Sequence, residues 1–209
     1  GKRTGTPVGI IFMQSGTDMP VKSWLHPDDL QNAPSLNKDY MDLAAVRPGN
    51  RFYDDNARRY LSAWQSYWKD YVPQLIKAKA VPDEVPWGTY PALNSSVTSK
   101  ASEVYNVMVE SFTPASLKGI FFISGDAITD EKDKGANFGE QITSLSAGWK
   151  LRFGGEDLPF FFTLPRVNKS TRLNAASGEF QGQATGFLDV YRKGAFDDAL
   201  DNMAQKLSE

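Results

Sequence analysis

The chain contains no cysteine, which excludes disulfides, thiolate metal sites and a cysteine nucleophile. It contains a single histidine, His26. Metal sites built from several histidines are therefore excluded, and any serine–histidine mechanism rests on His26 alone. No run of about 18 apolar residues is present to span a bilayer as a helix. Neither sign of charge dominates. Acids and bases are interspersed to a net of −2, and no basic stripe with aromatics between gives nucleic acid an electrostatic footprint. The phosphate-cradling patterns G-x-G-x-x-G and G-x-x-x-x-G-K-S/T are both missing, so no nucleotide cofactor is implied. The expectation is a chain with no metal, no cofactor, no nucleic-acid partner and no membrane span.

What is present points to one packed domain over residues 1–209. Hydrophobic residues make up 41% and aromatics 12% of the 209 residues, enough for a core and against disorder. Residues 117–126 are the most informative stretch. A bulky apolar strand (Leu-Lys-Gly-Ile-Phe-Phe-Ile) runs into a small, acid-tipped turn (Ser-Gly-Asp). In open α/β sheets ligands bind just beyond the carboxyl ends of parallel strands, so a site is expected at this turn.

Residues 7–13 form a second near-continuous apolar run, the pattern of a strand buried on both faces. Residues 159–164 and 184–190 read as further strands. Between them lie helical patterns. One begins near Asp54 or Asp55 and carries Ala57, Leu61, Trp64, Tyr67, Trp68, Tyr71 and Leu75 at three- and four-residue spacing. Pro73 is expected to bend or end it. Its Trp/Tyr stripe reads as an inward-packing apolar face, with a sugar platform as the alternative.

A short helix is expected over residues 102–110. Asn137 and Glu140 have capping-box spacing ahead of Phe138, Ile142, Leu145 and Trp149. Gly154 and Gly155 read as the helix end and turn. A closing helix from Gly194 should face Phe196, Leu200, Met203 and Leu207 inward. Residues 79–97, rich in Pro, Gly, Ser and Asn, read as a loop excursion whose Trp87 and Tyr90 either bind or pin the loop. Residues 126–136 and 166–182 read as polar loops. Strands alternating with helices imply βαβ crossovers and a mainly parallel sheet of about four or five strands, covered by helices on both faces.

Several words of this sequence, in order, resemble the sialate O-acetylesterase-like branch of the SGNH (GDSL-type) hydrolases. Pro7-Val8-Gly9-Ile10-Ile11 followed by Pro20-Val21-Lys22-Ser23-Trp24 is similar to that family's P-V-G-L-I … G-G-T-P-I-E-A-W. Val104-Tyr105-Asn106-Val107-Met108 is similar to L-Y-N-G-M, and Leu117-Lys118-Gly119-Ile120 to I-K-G-V-I. Trp149, Phe153-Gly154 and Asp157-Leu158-Pro159-Phe160-Phe161-Phe162 match D-W-R … F-G … D-L-P-F-Y-F. The resemblance runs from about residue 7 to 165. It implies a flavodoxin-like three-layer fold, an extracytoplasmic (secreted or periplasmic) setting, and a serine esterase acting on acetylated sugars.

Such an enzyme needs a serine nucleophile, a histidine base, an aspartate two residues before it, and donors for the oxyanion. The family's nucleophile block, G-Q-S-N, lies upstream of its P-V-G-L-I strand, where only six residues stand here. Ser15 in Gln14-Ser15 is the nearest substitute, with a turn serine as the alternative reading. The paired glycines of the second block align with Thr17 and Asp18. The W-Y-Q-G-E-S-N block aligns with Phe122 to Ile128, which keeps Gly125, replaces the glutamate by Asp126 and puts Ser124 where the glutamine donor would be. The D-x-H block aligns with Asp189-Val190-Tyr191, so tyrosine stands at the base. Tyrosine, with an ordinary pKa near 10, is a poor base at neutral pH.

The candidate catalytic residues are therefore Ser15, Ser124, Gly125, Asp126, Asp189 and His26. The departures imply a catalytically degenerate domain that binds a glycan or a protein, or serves as a structural module. The alternative is an active carbohydrate O-acetylesterase working through a rearranged serine site, with His26 or a carboxylate as base. A plain flavodoxin-like domain of other role is the third. For His26 itself, the Pro-Asp-Asp that follows predicts a surface or helix-capping residue.

Overall fold

The computed structural model describes residues 5, 7–16, 19–79, 100–123, 136–164, 184–187 and 193–208. In chain order the main elements are α1 (Asn37–Ala44), α2 (Arg51–Ser66), α3 (Val72–Lys77), β1 (Ile120–Phe122), α4 (Phe138–Phe153), β2 (Phe160–Leu164), β3 (Ala184–Phe187) and α5 (Ala195–Ser208). Tight 3-10 turns lie at Val21–Trp24 and Pro27–Asn32, and wider π turns at Tyr67–Tyr71 and Tyr105–Val109. The protein is mixed α/β, and the chain divides into two compact units: residues 1–35 with 100–209, and residues 36–99.

The larger unit is built on a three-stranded parallel sheet in the order β1-β2-β3. Ile120, Phe121 and Phe122 pair with Phe160, Phe161 and Phe162, and an irregularity between Phe162 and Leu164 interrupts the pairing of β2 with β3. The unbroken apolar runs of β1 and β2 are what a parallel sheet covered on both faces demands. The pleat sends Phe122, Phe160 and Phe162 to one face. There Phe122 and Phe160 stack at 6.3 Å, Trp24 meets Phe122 edge-on at 5.6 Å, and α4 brings Trp149 to Phe160 at 6.5 Å and Phe138 to Phe162 at 6.2 Å. Phe121 and Phe161 pair at 6.0 Å with the opposite parity. Along that parity α5 packs Ala195 and Ala199 against Ile123. A Cβ on Gly119 would come within 2.8 Å of Leu207, so the missing side chain lets α5 approach.

The stripe expected on α4 is present: Phe138, Ile142, Leu145 and Trp149 are all buried, joined by Phe153. Its capping box is not formed. Asn137 makes no side-chain cap, and Glu140 instead accepts the Ser35 backbone N–H at 2.8 Å. After the helix, Gly155 turns the chain at φ +89, as the Gly-Gly pair predicts. The buried face of α5 differs from expectation. It carries Ala195, Ala199 and Met203, while Phe196 is exposed. Two alanines at one-turn spacing allow a closer approach to the sheet than phenylalanine would, and the tighter packing sets the rotation of the helix.

Residues 7–13 do not form the buried strand that their composition predicts. They lie outside any helix or strand, and Val8, Ile10 and Phe12 are 63%, 85% and 70% exposed. An apolar run supplies side chains for a core but not the neighbouring strand that its backbone N–H and C=O groups need, and among the described residues no strand pairs with it.

In the smaller unit Asn50 caps α2, accepting the Tyr53 N–H at 3.1 Å, so the helix starts at Arg51 rather than at Asp54 or Asp55. Tyr40 of α1 meets Phe52 edge-on at 6.3 Å, and Asn56 donates to the Ala45 carbonyl at 3.1 Å. Pro73 does not end the helix, which passes through the π turn into α3 and reaches Lys77. A proline lacks the N–H and crowds the carbonyl four residues back, and the wider π turn just before it relieves both.

The aromatic stripe of α2 does not pack inward. No α2 side chain is fully buried, and Leu61 and Trp68 are 58% and 54% exposed. Its rings pack along the helix instead: Trp64 stacks on Trp68 at 6.0 Å and meets Tyr60 edge-on at 6.3 Å, and Tyr67 tilts against Tyr71 at 5.6 Å. Rings three and four residues apart are neighbours on a helix surface, so such a stripe partly satisfies itself. The loop expected over residues 79–97 falls, apart from Lys79, outside the described residues, as do those over 126–136 (apart from Ala136) and 166–182.

Candidate functional site

A polar cluster sits where α4, the Pro27–Asn32 turn and the Tyr105–Val109 turn meet. Asp29 is buried, and Arg152, from the last turn of α4, grips it with Nη1 at 2.7 Å from Oδ2 and Nη2 at 3.3 Å from Oδ1. The same guanidinium donates to the Gly148 carbonyl at 2.8 Å and lies 5.8 Å from the Tyr105 ring centre. Ser144, one turn before Gly148, donates to the Asp29 carbonyl at 2.7 Å. Glycine is required at 148, because a Cβ there would fall 1.9 Å from Asp29 Oδ2. Farther along the helix, the Trp149 indole N–H donates to the Trp24 carbonyl at 3.0 Å.

His26 is the cap of the Pro27–Asn32 turn. Its Nδ1 accepts the Asp28 N–H at 3.1 Å, and its ring meets Tyr105 edge-on at 5.0 Å. A ring that accepts through Nδ1 carries its proton on Nε2 when neutral. Burial, and then the positive charge of Arg152, push the imidazole below its ordinary value of 6.5, against the weaker pull of Asp28, Asp29 and Glu110. Tyr105 is buried, and its hydroxyl lies near Glu110 without forming a well-directed hydrogen bond. Burial first, and then Glu110, push its phenol up to about 12. At neutral pH the cluster therefore holds an uncharged imidazole, a neutral phenol and a salt-bridged guanidinium. That arrangement ties three segments together, and among the described residues no serine hydroxyl is hydrogen-bonded to the His26 ring.

The lowered pKa of His26 has a measurable consequence. Below pH 6.5 the unfolded chain takes up the proton before the folded one does, so stability is fully present above 6.5 and falls as pH drops towards the folded value. His26→Asn keeps a capping acceptor and removes the titration. The expected result is a shallower fall in urea midpoint between pH 6.5 and 5 than in the parent, on top of a pH-independent offset from the lost ring contact with Tyr105.

Of the residues predicted from sequence to carry a site, Ser15 and His26 are described. The Ser15 hydroxyl donates to the adjacent Gly16 carbonyl at 3.3 Å, and no hydrogen bond links it to His26. Ser124, Gly125, Asp126 and Asp189 lie outside the described residues, as do Thr17, Asp18 and Tyr191. The turn after β1, where a ligand was expected, begins there too. Among the described residues no group of three His, Asp or Glu side chains could hold a metal, and no helix is long and apolar enough to cross a membrane.

Sequence reasoning missed Asp29, Ser144, Gly148 and Arg152. Asp29 and Arg152 are 123 residues apart, so spacing carried no signal. The one hint was a glycine inside an otherwise apolar helical stripe, which implies a close approach by another group. No family model matches the chain, and no curated protein and no solved structure does.

Proposed function

We propose that this chain is a degenerate SGNH-type domain, related to the sialate O-acetylesterases, that no longer hydrolyses esters and works as a glycan- or protein-binding or structural module. In this reading its three parallel strands belong to a three-layer, flavodoxin-like sheet of about four or five strands, acting outside the cytoplasm. The packing of the residues that carry the resemblance supports it. Trp24, Tyr105, Trp149, Phe153, Phe160 and Phe162 come from separate words of the sequence, and all are buried. Trp24 touches both Trp149 and Phe122, and Trp149 touches Phe153 and Phe160. These later words meet in one core, while the first, residues 7–11, stays exposed.

The observation that carries the loss of activity is the engagement of His26. The only histidine of the chain accepts the Asp28 N–H through Nδ1, which leaves its proton on Nε2, and among the described residues no serine hydroxyl is bonded to it. A serine esterase needs its base within hydrogen-bond reach of the nucleophile. The test is labelling of the purified chain with a fluorophosphonate serine-hydrolase probe, read by intact mass and peptide mapping, beside an active esterase. The expected result is no adduct on this chain. A stoichiometric adduct on one serine overturns the reading and establishes the rearranged acetylesterase in its place.

A further inference from the structure

We propose that the outer edge of β1 accepts an extended strand from a second copy of this chain, and that residues 8–12 supply that strand. β1 is an outer strand of the described sheet. The Ile120 N–H points inward to the Pro159 carbonyl at 2.9 Å, so the alternation of a parallel ladder turns the N–H and C=O of Phe121 to the outer side. The edge Ile-Phe-Phe carries no charge and no proline, the usual protections of a free edge.

The complementary element is in the same unit. Val8-Gly9-Ile10-Ile11-Phe12 is uncharged and rich in strand-forming residues, and it pairs with no strand among the described residues. Ile10, the most exposed large apolar residue among those described, is 85% exposed, and the space around the Gly9 Cα is open. Segments of this kind add to sheet edges, main-chain bonds giving the affinity and alternate side chains the fit.

A second copy suits the two elements together. Each copy then donates one strand and accepts one, so a single twofold exchange pairs both elements in both chains and closes the assembly as a dimer. The inference rests on these two elements alone and is independent of the ancestry proposed above.

The test is light scattering after gel filtration of the full chain from micromolar to submillimolar concentration, with Ile10→Asp and Trp68→Lys beside the parent. Both substitutions fall at exposed side chains, and far-UV circular dichroism checks that each variant keeps the parent's fold. The expected result is a dimer for the parent and for Trp68→Lys, and a dissociation constant raised at least about 10-fold by Ile10→Asp. Hydrogen exchange at the Phe121 amide should be slow in the dimer and fast in Ile10→Asp. A monomer at every concentration, an Ile10→Asp variant that associates as the parent does, association abolished by Trp68→Lys, or a Phe121 amide unprotected in the dimer each overturns the proposal.

Discussion

Asp29→Ala is expected to destabilise the protein by about 3 kcal/mol, the lower end of the range for removing one partner of a buried ion pair. Arg152 loses both carboxylate contacts, yet it keeps its bond to the Gly148 carbonyl and some access to water, which limits the cost. Were the pair a surface one, the loss would stay below about 1 kcal/mol. Urea unfolding followed by far-UV circular dichroism separates the two cases, and a loss under about 1 kcal/mol refutes the assignment of this pair as a structural lock.

Two further variants locate the cause. Gly148→Ala should destabilise comparably while both charges remain, because its Cβ would occupy the position of Asp29 Oδ2. The double variant Asp29→Leu/Arg152→Met should recover most of the loss, because it removes the unpaired charge along with its partner. Neither result depends on an enzymatic activity.

Phe160→Ala should cost about 3–5 kcal/mol, combining lost transfer energy with the cavity left behind. Phe160 is fully buried, between Phe122 on β1, Trp149 on α4 and Phe162 on its own strand. A hole there has aromatic walls on several sides, and stiff rings on paired strands relax poorly into it. Phe160→Leu keeps more of the volume and should cost markedly less. The readouts are the urea midpoint and the near-UV signal of Trp24 and Trp149, whose rings lie 6.2 Å apart. A Phe160→Ala loss below about 1 kcal/mol would mean that the α4 face of the sheet is not the core of this unit.

These two sites bear on function through rigidity. The Asp29–Arg152 pair fixes the turn that His26 caps, and the Phe160 layer fixes α4 beneath it. The imidazole is thereby held against Tyr105, and no hydrogen bond joins it to the Ser15 hydroxyl, which is bonded to its own neighbour. An imidazole engaged in this way supports a turn.

Local chemistry was enough to establish several parts of this protein from the sequence. The runs Ile-Phe-Phe and Phe-Phe-Phe-Thr-Leu pointed to parallel strands, because a sheet covered on both faces takes bulky apolar residues at successive positions. Phe138, Ile142, Leu145 and Trp149 declared the buried face of α4 by their spacing, and the Gly-Gly pair declared its end. His26 was recognisable as a cap from the proline and acids that follow it. Each signal lies within one turn or one strand of the residue it explains.

What only the tertiary structure decided depends on partners far away in the chain. Residues 7–13 read as a buried strand, but burial needs a neighbouring backbone that composition does not encode, and the segment stands exposed. The α2 stripe read as an inward face, yet its rings find one another along the helix. α5 turned its alanines rather than its phenylalanine to the core, because close packing at Ile123 and Gly119 outweighs the area of any single side chain. Asp29 and Arg152, separated by most of the larger unit, became a pair only when a glycine in α4 let the two segments touch. Periodicity reports which face of an element is apolar, and only packing reports what that face meets.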